Sequence, residues 1–358
     1  MNRVDAMDCV DWVDWVDGQL RALVEAAGAS ATAVTLAVAK GSWESVRCHG
    51  RLGIAPTAPD CTPDTVFELG SVTKTFTALL LATMAARGEL SLDDPVEAHL
   101  PRSWRPLAVR SGGPIRLLHL ATHTSGLHRL PPGLLAGAVP AWYSNPYAAF
   151  GEQQLRKAVA RTSLRTRPGS RYGYSNYGVA LLGRLLAETG GAPYAELLVE
   201  RIGRPLGLPT VTCAPDSPDR AIGHRHGRAL PPWNMPGLPG AGALRASGAD
   251  VLRFLRAHVG TSDGELDGES GAALREVQLP RLRLPVSGDE VCLVWKHRRA
   301  GSRDLFFHSG ATRGFTAFAG FSPQTETAVA ALANTGPTMD GRFVQAGYGV
   351  LTEVAGRR

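Results

Sequence analysis

A serine and a lysine stand three residues apart in segment 67–76, directly before the apolar run 78–86. On a helix, positions i and i+3 share a face, so the hydroxyl of Ser71 and the ammonium of Lys74 can meet. Serine becomes a useful nucleophile when a neighbouring group takes its proton. Lysine can do this if burial or nearby cations bring its pKa from about 10.4 towards about 7–8. The pair indicates nucleophilic chemistry, and a capping serine before a solvated lysine is the simpler alternative.

Two further segments carry polar side chains of types that acyl transfer uses. In 168–183 a Pro-Gly turn leads into the triplet Tyr-Ser-Asn that begins at Tyr174, and an apolar helical pattern follows. In 306–315 a strand pattern leads into the triplet His-Ser-Gly that begins at His308, followed by a turn. Three such segments in one chain are much stronger evidence for a catalytic site than the serine and lysine alone.

These motifs, in this order, resemble those of the penicillin-recognising serine enzymes, whose related set is Ser-x-x-Lys, Ser-Asp-Asn and Lys-Thr-Gly. The tyrosine form of the second motif is similar to that of the class C β-lactamase and D-alanyl-D-alanine peptidase branch, which also contains esterases and transacylases. Segments 88–96, 117–127, 320–323 and 328–335 resemble other parts of this branch. The resemblance implies an α+β fold, with an antiparallel sheet flanked by terminal helices and an inserted helical lobe.

The resemblance also implies a role for each matching residue. Ser71 is the expected nucleophile, and Lys74 and Tyr174 are expected to share its proton, with the acylation base left open between them. The backbone N–H groups of Ser71 and Ala311 are the expected oxyanion hole. Asn176 is expected to bind the substrate carbonyl side and to help hold Lys74. The expected substrate-binding residues are Asn176, His308, Ser309, Gly310 and Arg313.

His308 departs from the pattern of many β-lactamases, which carry a lysine at this position. A histidine is mostly neutral above about pH 6.5, whereas a lysine is a permanent cation. Recognition of a penicillin-type carboxylate is therefore in doubt. Arg313 could supply the missing charge, although a solvated turn arginine is the interpretation that the sequence favours.

A second Tyr-Ser-Asn triplet begins at Tyr143. It lacks the preceding Pro-Gly turn, and Pro146 follows it, which biases Asn145 away from helical geometry. We therefore predict that this copy is an ordinary loop.

Composition limits the classes of function. The chain has 358 residues, 44% apolar and 20% charged, with a net charge of +6. Its arginines are scattered rather than clustered in a stripe, so we expect no nucleic-acid partner. The five cysteines form no Cys-x-x-Cys pair, and no His/Cys cluster has metal-ligand spacing, so we expect neither a metal nor a cofactor. The expected partner is a small-molecule acyl substrate, with an amine or alcohol as a possible acceptor.

The N-terminal segment shows neither the basic start nor the unbroken apolar core of a secretory signal. Apolar residues recur at helical spacing through 10–24, which predicts an amphipathic helix. No apolar run reaches the length of a membrane span. The sequence therefore predicts a cytoplasmic protein with no membrane partner and leaves the oligomeric state open.

The pattern of elements predicts two lobes. Strand composition occurs near both ends of the chain, and a last helix is predicted at 344–354. The segments that we predict to be strands are 33–39, 43–48, 291–295, 305–308, 315–321 and 328–332. We predict an α/β lobe from 1–75 plus 285–358 and a mainly helical lobe from 76–284, and the resemblance implies that the site lies in the cleft between them. The Pro- and Gly-rich stretch 205–248 is predicted to be irregular and could border that cleft.

Three functions fit these observations. A serine hydrolase that acts on a small ester, amide or lactam through an acyl-enzyme is the leading hypothesis. An intracellular transacylase of small-molecule biosynthesis is the first alternative, because water and another acceptor differ only in how they resolve the acyl-enzyme. A non-catalytic binding protein is the second, and the intact set of Ser71, Lys74, Tyr174 and Asn176 argues against it.

Overall fold

The computed structural model describes residues 9–104, 113–216, 219–260 and 268–357. Its strands are β1 (Ala33–Lys40), β2 (Trp43–Gly50), β3 (Val66–Glu68), β4 (His224–Arg225), β5 (Arg228–Ala229), β6 (Arg245–Ser247), β7 (Leu282–Arg283), β8 (Glu290–Val291), β9 (Lys296–Ala300), β10 (Arg303–Ala311), β11 (Thr316–Ser322) and β12 (Thr327–Ala333). Its α-helices are α1 (Cys9–Ala27), α2 (Thr73–Ala86), α3 (Leu117–Ala121), α4 (Leu134–Ala138), α5 (Glu152–Arg161), α6 (Asn176–Gly190), α7 (Tyr194–Leu198), α8 (Pro239–Gly242), α9 (Gly248–Val259), α10 (Glu269–Glu276) and α11 (Arg342–Gly356).

The largest sheet joins strands from both ends of the chain. Within the described ranges it has eight strands in the order β2-β1-β12-β11-β10-β9-β8-β7, and neighbouring strands run antiparallel. The central strands β1, β11 and β12 are almost fully buried because α1 and α11 cover one face and α9 covers the other. This burial on both faces explains why β1 and β12 are continuous apolar runs rather than alternating ones. The predicted antiparallel sheet with terminal helices is confirmed.

Helix α2 lies in the centre of the helical part of the molecule. Its residues are buried from Thr73 through Met84, which is the pattern of a helix enclosed on all sides. Phe76 stacks on Phe254 of α9 with ring centroids 3.7 Å apart. This packing fixes the first turn of α2, which carries Lys74.

The predicted strand at 291–295 is wrong. Strand β8 ends at Val291 and β9 begins at Lys296, and the residues between them form a buried irregular connection. Val294 has a φ of +68°, and its N–H donates to the carbonyl of Ala121 at 2.9 Å instead of to a neighbouring strand. A short apolar run indicates burial, and it does not distinguish a strand from a loop that packs into the core.

The terminal helices agree in place with the sequence prediction, although the structure extends both of them. Helix α1 covers the predicted segment 10–24, and α11 covers 344–354. The predicted lobe boundaries include residues outside the described ranges and stay a prediction. Among the helices that the structure describes, none has both the length and the apolar character needed to cross a bilayer.

Candidate active site

Ser71 and Lys74 meet at the start of α2. Ser71 lies in a 3₁₀ turn, Gly70–Val72, and Lys74 is the second residue of the helix that follows. The Lys74 Nζ donates to Ser71 Oγ at 2.9 Å and to the carbonyl of Ala241 at 2.6 Å. Lys74 is completely buried, and this burial lowers its pKa. A lysine that loses its proton more easily than usual is suited to accept one from the serine.

Tyr174 lies directly over this pair, with the centre of its ring 5.2 Å from Lys74 Nζ. The next residue, Ser175, caps α6 by accepting a hydrogen bond from Gly178 N at 2.8 Å, which fixes the backbone beside the phenol. Burial acts to raise the pKa of Tyr174, but the charge of Lys74 and polar contacts with Ser71 and Lys74 outweigh it, so the pKa is lowered. The phenol is therefore easier to ionise than a free tyrosine.

Two buried histidines flank Tyr174. The rings of His123 and His308 have centroids 4.5 Å and 6.5 Å from its ring. Burial, reinforced by the charge of Lys74, lowers the pKa of His308 to about 3, and the same causes hold the pKa of His123 well below its usual value. Both imidazoles are therefore neutral at neutral pH, and His308 supplies no positive charge.

Strand β10 approaches the Ser71 turn so closely that only glycine fits at two positions. A Cβ added to Gly310 would lie 2.0 Å from Leu69 O and 2.8 Å from Ser71 N. A Cβ added to Gly70, whose φ is +49°, would lie 2.6 Å from Ala311 N. The backbone N–H groups of Ser71 and Ala311 are thus brought to neighbouring positions.

The N–H of Ala311 points towards this turn. Thr312 donates its N–H to Phe315 O, across the connection to β11, at 3.0 Å. Successive N–H groups of an antiparallel strand point to opposite edges, so the N–H of Ala311 faces away from β11. On that side the pairing of β10 with β9 has already ended, at Phe307 and Lys296. The two backbone N–H groups therefore lie at neighbouring positions, which is the arrangement that the expected oxyanion hole needs.

A buried ion pair holds the end of β10 in place. Glu68 accepts hydrogen bonds from Thr312 Oγ1 and from Trp233 N, each at 2.7 Å. Arg245 lies 3.5 Å from the same carboxylate and also donates to Trp233 O. Burial raises the pKa of Glu68, and the charge of Arg245 opposes that rise. This network joins β3, β6 and β10 behind the catalytic turn, and sequence reasoning missed it.

Asn176, the first residue of α6, faces the cleft with unused hydrogen-bonding capacity. Its Nδ2 donates to Tyr147 Oη at 3.4 Å, and its Oδ1 is buried without a hydrogen-bond partner in the described chain. The hydrogen bonds of Lys74 go to Ser71 and Ala241 instead, so the structure shows no bond between Asn176 and the lysine. The side chain lines the cleft, and its amide oxygen is left without a hydrogen bond among the described residues.

The residues that the sequence singled out converge on one cleft of about 990 Å³. Two groups of side chains form its walls. The first, here called the aromatic wall, consists of Leu130, Leu134, Trp142, Tyr147 and Trp233. The second, here called the sheet wall, consists of Phe307, Phe318, Val344 and Tyr348. Ser71, Tyr174, Asn176 and the residues of 308–313 also line the cleft, with Lys74 beneath Ser71.

The charged side chains that line the cleft in the described structure are all basic: Arg129, Lys296, Arg298 and Arg313. Arg298 is paired with Asp289 at 2.6 and 2.9 Å. Arg313 is half-buried, and its guanidinium carbon lies 5.3 Å from the ring centre of Trp142, so its side chain packs against the aromatic wall. Sequence reasoning missed Arg129 and Lys296. The only sequence signal for Arg129 is its position shortly after segment 117–127.

Side chains that could hold a metal are not clustered in this structure. Within 9–104, 113–216, 219–260 and 268–357, no group of three or more His, Cys, Asp or Glu residues has suitable geometry. The described cleft combines a serine hydroxyl, a buried amine, a phenol and two neighbouring backbone N–H groups, and these are groups that acyl transfer through serine uses.

Comparison with known proteins agrees with this class of site. Residues 20–352 match the family model described as Beta-lactamase, and the chain belongs to that family, whose members are serine hydrolases. It is 27% identical over 350 residues to the D-alanyl-D-alanine-carboxypeptidase/endopeptidase AmpH of Escherichia coli (strain K12), covering 92% of this chain and 87% of the relative. It is 33% identical over 181 residues to Esterase EstB of Burkholderia gladioli, covering 47% of this chain and 44% of the relative.

Solved structures show the same fold. The crystal structure of a β-lactamase/D-alanine carboxypeptidase from Yersinia pestis superposes with a TM-score of 0.79 at 22% sequence identity. The match covers 96% of this chain and 97% of that one. The resemblance to the class C β-lactamase and D-alanyl-D-alanine peptidase branch is therefore confirmed.

Proposed function

We propose that this protein is a serine hydrolase that cleaves a small-molecule ester or amide through an acyl-enzyme on Ser71. The observation that carries the proposal is the 2.9 Å hydrogen bond from Lys74 Nζ to Ser71 Oγ. The lysine is fully buried, and Tyr174 lies over it at the base of an open cleft. Burying a lysine without a carboxylate partner costs stability, so a purely structural role does not explain this burial. A proton acceptor benefits from burial, because burial lowers the pKa of the lysine.

The geometry supports the following sequence of steps. Ser71 Oγ attacks the substrate carbonyl while its proton passes to the pair formed by Tyr174 and Lys74. The negative oxygen of the tetrahedral intermediate accepts hydrogen bonds from Ser71 N and Ala311 N. The bond to the leaving alcohol or amine breaks, and that group takes the proton from the pair. Water then attacks the Ser71 ester by the same route, releasing the acid and restoring the hydroxyl.

The neutral state of His308 favours an ester or amide over a penicillin-type lactam. With the pKa of His308 at about 3, no cation stands at that position to bind a lactam carboxylate. The apolar side chains of the aromatic wall fit an acyl group with an apolar or aromatic body. The relative from Burkholderia gladioli, which is described as an esterase, is consistent with this preference.

Intact-mass spectrometry with an uncharged fluorophosphonate probe tests the proposal. We expect the wild-type protein to gain the mass of one phosphonyl group, which is the probe minus HF because fluoride leaves, and we expect Ser71→Ala to gain none. Lys74→Met, which keeps the volume and removes the amine, should label far more slowly. A wild-type protein that no probe labels, or equal labelling of Ser71→Ala, would contradict the assignment and favour a non-catalytic binding protein.

Transfer to an acceptor is the second candidate, and the size of the cleft favours it. The cleft has a volume of about 990 Å³ and extends along both the aromatic wall and the sheet wall. This leaves room for a second molecule beside the acyl group. An acyl-enzyme prepared with an activated ester should clear faster when an amine or alcohol is added, and the acyl mass should appear on that acceptor. Clearance at one rate with and without acceptors would support hydrolysis.

A further inference from the structure

Arg129 is a second cation beside the catalytic tyrosine, and it comes from none of the three motifs. Its guanidinium carbon lies 5.2 Å from the ring centre of Tyr174, the same separation as that of Lys74 Nζ. The side chain lines the cleft, is exposed, and makes no hydrogen bond or ion pair with the residues that the structure describes. Packing therefore does not explain its position.

The main chain of Arg129 is fixed to the element that carries the rest of the motif. Its carbonyl accepts hydrogen bonds from Asn176 N at 2.9 Å and from Tyr177 N at 3.3 Å, at the first turn of α6. Tyr174 stands immediately before that helix. The main chains of Arg129 and of the Tyr174 segment are consequently held in register by backbone bonds, which keeps the arginine side chain within reach of the phenol.

The need for such a cation follows from His308. A tyrosine that takes a proton from serine must do so as the phenolate, and positive charge near the ring favours that form. Many β-lactamases place a lysine in the third motif, but here the residue is a neutral histidine. Tyr174 would be left with Lys74 alone, and Lys74 is itself a member of the proton-sharing pair.

We propose that Arg129 is the second permanent cation of this site and holds Tyr174 ready to take the proton of Ser71. It is a positioning residue, because it acts through the phenol rather than on the substrate. The inference rests on the proposed acyl-enzyme function. The charge of Arg129 contributes to the lowered pKa values of both Tyr174 and Lys74, in agreement with this role.

Several titratable or charged groups face the phenol, and the pair with Lys74 loses its proton as a unit. Lys74 favours the phenolate, and the two neutral histidines carry no charge at neutral pH. The charge of Lys296 of β9 contributes to the lowered pKa values of both histidines. The groups around Tyr174 are Ser71 and Lys74 from α2 and the turn before it, His123 and Arg129 from the connection after α3, Tyr147 from the aromatic wall, Tyr172 from its own segment and His308 from β10.

The pH dependence of Ser71 labelling tests the proposal. The rate constant for an uncharged fluorophosphonate is measured from acid to alkaline pH for the wild type, Arg129→Gln and Arg129→Lys. Without this cation the phenolate is less favoured, so the acidic limb of the profile should move to higher pH. The expected shift is only about 0.5–1 pH unit, because a solvent-exposed charge acts through a high effective dielectric. Labelling at a pH below that limb should fall about 3- to 10-fold. Arg129→Lys should restore most of the wild-type profile.

Arg313→Gln is the matched control. Arg313 is also a cleft arginine that lies over an aromatic ring, but this ring is that of Trp142, at 5.3 Å, and not that of Tyr174. Its removal should leave the acidic limb where it is. An unmoved limb in Arg129→Gln, or an equal shift in Arg313→Gln, would overturn the proposal. So would a change confined to the affinity for anionic esters, since Arg129 would then bind substrate.

A second measurement separates this proposal from the function on which it rests. The absorbance of tyrosinate is titrated in the wild type and in Arg129→Gln, and the same titration of Tyr174→Phe in each background isolates Tyr174. The phenol should ionise at a higher pH without Arg129, whether or not any probe labels Ser71. An identical Tyr174 titration in both backgrounds would sink the Arg129 proposal while leaving the serine hydrolase intact.

Discussion

The triplet Tyr-Ser-Asn occurs twice in this chain, at 143–145 and 174–176, and the two copies lie in different environments. Tyr143 is 80% exposed in a loop. Tyr174 lies within 5.2 Å of two cations and against two histidine rings. The same three side chains are therefore inert in one place and part of a site in the other.

The asparagines show the difference most clearly. Asn145 satisfies both ends of its amide, because Nδ2 donates to Asn234 O at 2.7 Å and Oδ1 accepts from Tyr147 N at 3.1 Å. Asn176 keeps a buried Oδ1 without a partner in the described residues. A satisfied amide stabilises the fold, whereas an unsatisfied one costs stability. The two copies therefore differ in their hydrogen bonds and in their neighbours, although their three residues are identical.

Replacing the two tyrosines should give the largest contrast. Tyr174→Phe removes the proton-handling hydroxyl, and we expect the rate of Ser71 acylation to fall by about 100- to 10,000-fold. Tyr143→Phe should leave the rate unchanged, because its ring projects into solvent. Both rates are measured as the probe-labelling rate constant. Similar losses in the two variants would break the comparison.

A next test asks whether the functional copy depends on β10. Gly310→Ala places a methyl group 2.0 Å from Leu69 O, so β10 must move away from the Ser71 turn. The oxyanion donors then separate, and we expect acylation to slow by about 100- to 1,000-fold. Gly349→Ala, in α11 with open space around its Cβ position, is the control and should keep full activity. Normal labelling by Gly310→Ala would mean that Ala311 N is not an oxyanion donor.

The two asparagines should separate stability from activity. Asn145→Ala leaves Asn234 O and Tyr147 N without their partners, and should lower the free energy of unfolding by about 1–3 kcal/mol with little change in activity. Asn176→Ala removes an unsatisfied oxygen, and should change stability little while slowing turnover by about 10-fold through the loss of one substrate hydrogen bond. Urea unfolding and steady-state kinetics measure the two effects. A reversed pattern would assign the functional role to the first copy.

The last test concerns stability rather than activity, and it uses His308, whose ring lies beside Tyr174 of the functional copy. The folded-state pKa of His308, about 3, is below its ordinary value of 6.5, so the unfolded chain binds more protons between these two values. The free energy of unfolding should therefore fall as pH drops from 6.5 towards 3, by at most about 1.4 kcal/mol per pH unit for this group. His308→Gln should reduce that slope, measured by urea unfolding at several pH values. A slope that His308→Gln leaves unchanged would contradict this prediction.

Much of the fold could be predicted because its signals are local. Strands β1 and β2 are joined by a Lys-Gly-Ser turn, and β10 to β12 follow each other as short apolar runs. The prediction failed at 291–295, where the backbone of Val294 takes a positive φ that an apolar composition does not announce. It also missed the Glu68–Arg245 network, since its members are 177 positions apart in the chain.

The candidate site also has parts that the sequence predicted and parts that it did not. The three motifs identified Ser71, Lys74 and Tyr174, because their residue types and spacings reflect the chemistry that they serve. The family, the fold class and the groups available for acyl transfer could be predicted from the sequence alone. Only the tertiary structure decided which arginine faces the phenol and which asparagine keeps a free oxygen. Charges and hydrogen bonds act through space over a few ångströms, and separation along the chain does not record that distance.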